Sequence, residues 1–127
     1  MTMQPLDLDA TAAFAERMLG ILNGGALSLM ISIGHRAGLF DVMSRLEFAT
    51  SNAIAREAGL QERYVREWLG AMTTGGIFLY ESASGLYELP PEHALLLTGH
   101  TASNAAPMSQ ILTHFGTQFI SADQTMA

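Results

Sequence analysis

The chain contains no cysteine and no lysine, and it is sparing with charge of either sign. Without cysteine there is no disulfide framework and no thiolate metal site. Every cation is an arginine (Arg17, Arg36, Arg45, Arg56, Arg63 and Arg66), and twelve acids outweigh these six to give a net charge of −6. Such a chain is repelled by a phosphate backbone unless its cations gather on one face. Charged residues make up only 14% of the 127 positions, against about a quarter in ordinary globular proteins, while 49% are hydrophobic. That surface is short of polar cover, so apolar area is expected to meet a partner. The N-terminal "MTMQPLDLD" is acidic and has no basic segment, which is unlike a secretory signal; a cytoplasmic location is expected. The length suits one domain with one core.

An uncharged run over residues 18–34, "MLGILNGGALSLMISIG", approaches the lower length of a membrane span. Asn23-Gly24-Gly25 in its middle predicts a break, hence two helices meeting at a turn. The first would cover residues 10–22 behind an Asp9 cap, with Phe14, Met18, Ile21 and Leu22 on one stripe. The second, residues 26–37, is apolar around most of its circumference, so a second subunit is expected to cover it. Phe14, Met18, Leu27, Met30, Ile31 and Ile33 are the candidate interface residues. Gly38 ends that helix, and "LFDVMSRL" follows as a short third one.

Residues 50–80, "TSNAIAREAGLQERYVREWLGAMTTGGIFLY", spell a helix-turn-helix. Thr50 caps a helix over residues 51–58, with the capping box half built because Ala53 stands where an acid would reciprocate. Gly59 supplies the turn. The next helix, residues 61–74, buries Val65, Trp68, Leu69 and Met72, and Gly75 is read as its left-handed stop. "IFLYE" and "LYELP", joined by Ser82-Ala83-Ser84-Gly85, form a hairpin of the wing type. A short segment opens at Pro90-Pro91, and Met108, Ile111, Leu112, Phe115 and Phe119 keep helical spacing before an end that has nothing to pack. The fold class is therefore mainly α: a winged helix-turn-helix with an extra N-terminal helical layer and a small β-hairpin wing. Residues 1–9 are expected as a disordered tail, 10–100 as the winged-helix domain, and 101–127 as a linker helix with a frayed end.

A DNA-reading helix offers Arg, Lys, Asn or Gln to base edges. Here the exposed face carries Gln61, Glu62, Arg63, Arg66 and Glu67, in which acids cancel arginines and Arg63 can pair with Glu67. The wing tip, Glu81 to Gly85, has no cation for a minor groove. Among the histidines, His93 and His100 lie seven apart and His35 and His114 are isolated, so no pair has metal spacing. His35 is placed to cap the last carbonyls of its helix, with a substrate contact as the alternative. No serine occupies a nucleophile-elbow context.

"FAERMLGILNGGALSLMISIGHRAGLFDVM", "YVREWLGAMTTGGI" and "LPPEHALLLT" together resemble the N-terminal winged-helix domain of bacterial, actinobacterial-type class I S-adenosylmethionine-dependent methyltransferases, over residues 12–115. The resemblance implies a homodimerisation domain that roofs a small-molecule substrate pocket, while a Rossmann-like domain holds S-adenosylmethionine. This chain has no D/E-x-G-x-G-x-G pattern, so it is expected to bind no cofactor and to be inactive alone. A fragment and a stand-alone protein both fit that lack. The alternatives are a small winged-helix DNA-binding regulator and a stand-alone small-ligand binder.

Overall fold

The computed structural model describes residues 4–99 and 103–126. It opens with one helix where the sequence predicts two. Helix α1 runs unbroken from Leu8 to Arg36, so Asn23-Gly24-Gly25 is helical. Each glycine costs roughly 1 kcal/mol relative to alanine in a helix, a penalty the long apolar flanks and the docked C-terminal half outweigh. The N-cap is Asp7 rather than Asp9: its side chain accepts from the Ala10 amide at 3.0 Å.

Helix α2 (Leu39–Leu46) follows Gly38, whose φ of 72° suits glycine. The helix-turn-helix is α3 (Ser51–Ala58) and α4 (Glu62–Thr74). Thr50 caps α3 as expected, accepting from Ala53 N at 3.2 Å. Gly59 closes it in a left-handed conformation, with Leu60 N donating to Ala55 O.

The end of α4 differs from expectation in an instructive way. Gly75 keeps a right-handed φ of −76°, and Gly76 is the left-handed residue at 80°. Ile77 N donates to Met72 O at 2.9 Å and Gly76 N to Thr73 O at 3.0 Å, the paired bonds of a Schellman ending. Gly75 is needed for space instead: a Cβ there would run into the Leu27 side chain of α1.

Strand β1 (Phe48–Ala49) is too short to show a period in sequence, and it adds a third member to the expected hairpin of β2 (Leu79–Glu81) and β3 (Leu86–Glu88). The sheet is antiparallel in the order β1-β3-β2, with Ala49 opposite Tyr87 and Tyr80 opposite Tyr87 on the other side. Helix α5 (Pro91–Leu97) and helix α6 (Ala106–Met126) complete the chain. Helix α6 carries on to Met126, further than apolar spacing alone takes it, and packs along α1.

The core centres on Phe40, Trp68 and Phe78, which meet edge to face with centroids 5.1–6.0 Å apart. Val65, Leu69 and Met72 of α4 are buried around them as their spacing predicts. Trp68 also donates its indole N–H to the Met30 carbonyl at 2.9 Å, which ties α4 to the C-terminal part of α1.

Candidate functional site: the free face of the N-terminal helix

The apolar residues of α1 divide between two faces. Leu27, Met30 and Ile31 pack against the domain's own core. Gly34 lies on the same side, where a Cβ would come within 2.9 Å of the Phe40 ring and closer still to Trp68. Three of the six candidate interface residues, Leu27, Met30 and Ile31, are thus already partly committed within the chain.

The other three share the opposite face. Phe14, Met18, Leu22, Gly25, Leu29 and Ile33 follow at intervals of four, four, three, four and four, the spacing that keeps residues on one side of a helix. Phe14 is 58% exposed, Leu22 61% and Ile33 44%; Met18 is half-buried. This row extends about 28 Å, at 1.5 Å per residue. Leu22, on the stripe of Phe14 and Met18 expected from sequence, and Leu29 belong to it, although neither is among the six candidate interface residues. The expected break between them hid the continuity of the row.

Further apolar side chains are exposed on α1 and α6. Among them are Leu19 and Ile21 on α1, and Met108, Ile111, Leu112 and Phe115 on α6. A soluble domain leaves a surface this apolar only where something covers it.

By length and composition α1 is long and apolar enough to cross a membrane. The predicted glycine break no longer argues against a span, but packing does. Residues 27–34 carry the face docked on the winged helix, which leaves residues 18–26 as the uncharged, undocked stretch. Nine residues of helix cover about 14 Å, half of a bilayer's hydrocarbon core of about 30 Å.

The recognition face of α4 carries balanced charge in largely exposed pairs. Arg63 pairs with Glu67 at 3.9 Å and Arg66 with Glu62 at 3.8 Å. Glu62 also accepts from the Ser51 hydroxyl at 2.7 Å, which holds that carboxylate at the start of the helix. At the wing, burial raises the Tyr87 phenol pKa above its ordinary 10.0, helped by Tyr80 and Glu62 and opposed by Arg66.

No cluster of metal-ligating side chains occurs among the described residues. The His93 Nδ1 lies 2.7 Å from the Ile77 carbonyl. His35 is not needed as a cap, because Ala37 N and Gly38 N already donate to Ile33 O and His35 O. His100 lies outside the described residues.

A winged helix-turn-helix with an added N-terminal helix is the class these features define. The chain belongs to the Rv2258c-like winged HTH domain family, whose signature matches residues 25–99. No curated protein matches it significantly. Among solved structures, mitomycin 7-O-methyltransferase MmcR is similar at a TM-score of 0.68 and 25% identity, over 81% of this chain and 30% of that one. PigF, solved with SAH, gives 0.64 at 21% identity over 87% of this chain and 30% of that one. Human N-acetylserotonin methyltransferase, solved with SAM, gives 0.65 at 17% identity over 78% and 30%. The last two likenesses concern the fold alone. This chain spans about 30% of the length of each of these three proteins. The methyltransferase resemblance read from the sequence therefore holds at the level of domain and fold.

Proposed function

We propose that the chain is the dimerising, pocket-roofing winged helix of an S-adenosylmethionine-dependent methyltransferase, with cofactor and chemistry residing in a Rossmann-like domain outside this sequence. The observation that carries this reading is the exposed row Phe14, Met18, Leu22, Leu29 and Ile33 on a helix whose other face is docked. A two-fold partner presenting the same row buries it in a self-complementary contact. Each such side chain contributes roughly 1.5–3 kcal/mol when fully buried, so a few pairs across the axis offset the entropy of association. The likeness to methyltransferases supplies the context: a substrate is enclosed only when a catalytic domain sits beneath this one. The α4 face argues against the regulator alternative because its two arginines are matched by Glu62 and Glu67 on a chain of net charge −6, which leaves no basic patch there for a phosphate backbone.

Sedimentation of the chain across concentration tests the dimer, and Leu22→Glu tests the face. Leu22 is exposed, so the variant is expected to fold and to be monomeric. Met30 is a poorer probe, because its side chain packs on the core and its carbonyl holds Trp68. A wild-type chain that stays monomeric at every concentration, or a Leu22→Glu chain that dimerises as well as the parent, overturns the proposal.

A further inference from the structure

A second site lies on the edge of α1 that meets α6. Ser32 and Arg36 of α1 face Gln110, His114 and Thr117 of α6 across a cleft of about 400 Å³, within the size range of small-molecule sites. Each of these side chains can donate a hydrogen bond. Arginine has five N–H groups and no acceptor, histidine keeps at least one N–H in either protonation state, and amide and hydroxyl groups complete the set. Among the described residues no acid lines the cleft and Arg36 makes no ion pair.

Ser32 forms the floor side of the cleft's α1 wall. It is only 6% exposed, yet its hydroxyl has no hydrogen-bond partner among the described residues, although it borders the cleft. The Ser32 oxygen is reached from the cleft rather than sealed in the core, so an acceptor seated there can take its hydroxyl proton in place of water.

From this geometry we infer that the α1–α6 cleft binds a small monocarboxylate, with Arg36 as the charge partner and Ser32 as a buried donor. One guanidinium presents a planar fork that matches a planar carboxylate in two parallel hydrogen bonds. A phosphate dianion carries more charge than a single arginine neutralises. The net charge of −6 works against every anion, so a preference for an anion over its neutral isostere can only come from the cleft itself. The inference stands on this chain alone and does not rest on the methyltransferase reading.

The test is a titration of the 127-residue chain with benzoate and, separately, with benzamide, followed by NMR at the Arg36 side-chain N–H and the His114 ring. Benzoate is expected to bind saturably in the millimolar range, and benzamide not to bind. Arg36→Gln alters an exposed side chain and is expected to fold and to weaken benzoate binding roughly tenfold or more. Arg36→Lys, which keeps the charge without the fork, should lose most of the affinity, and Ser32→Ala should lose several-fold. Equal binding of benzoate and benzamide, or undiminished binding by Arg36→Gln, overturns the site. Full affinity in Arg36→Lys overturns the carboxylate as its ligand class. An absence of saturable benzoate binding overturns the inference as a whole.

Discussion

Residues 27–36 and residues 8–26 belong to one helix but have different surroundings. In the C-terminal part, Leu27, Met30 and Ile31 press on the winged helix, and Gly34 is glycine because Trp68 and Phe40 leave no room for a Cβ. In the N-terminal part, a Cβ on Gly20, Gly24 or Gly25 would meet nothing within 4 Å, and the large side chains of Phe14, Leu19 and Leu22 stand in solvent. The lesson is that similar apolar content serves two purposes. One half stabilises the domain, and the other is arranged to be covered by something else.

The largest effect on that division comes from removing its anchor. Trp68→Ala deletes the ring that packs against Phe40 and Phe78 and the indole N–H that holds the Met30 carbonyl. A loss of roughly 3–5 kcal/mol is expected from the cavity and packing, read as a lower midpoint in urea unfolding. An unchanged midpoint would mean that α1 is not docked as described.

Gly34→Ala acts on the same contact from the other side. The added methyl lies against the Trp68 and Phe40 rings, so overpacking should cost roughly 1–3 kcal/mol. Because the two changes address one contact, the double variant is expected to lose less than the sum of the single losses. Strict additivity would separate Gly34 from the Trp68 contact.

Much of this organisation is legible in the sequence, and the gaps have physical causes. Thr50, Gly59 and the spacing of Val65, Trp68, Leu69 and Met72 define the helix-turn-helix because caps and stripes are local signals. Asn23-Gly24-Gly25 misleads because helix propensity is a weak prior that packing overrides. Gly75 is identified as special but for the wrong reason, since its neighbour Leu27 is distant in sequence. The α1–α6 cleft was not legible at all: Ser32 and His114 become neighbours only through the fold.

The smallest expected effect gives the sharpest view of the free half. Gly25 lies within the exposed row, between Leu22 and Leu29, whereas Gly24 points about 100° around the helix from it. In the isolated chain neither glycine has a steric reason to be glycine, so Gly24→Ala and Gly25→Ala should each stabilise the helix by up to about 1 kcal/mol. The two are expected to part company on association. Where two helices cross at a two-fold axis, a glycine lets the backbones approach closely, and a methyl at that point holds them apart. Gly24→Ala should therefore raise the urea midpoint and leave the sedimentation isotherm unchanged. Gly25→Ala should raise the midpoint at low concentration, where monomer dominates, and weaken dimerisation several-fold. Identical isotherms for the two variants would move the crossing point away from Gly25, toward the larger residues at either end of the row.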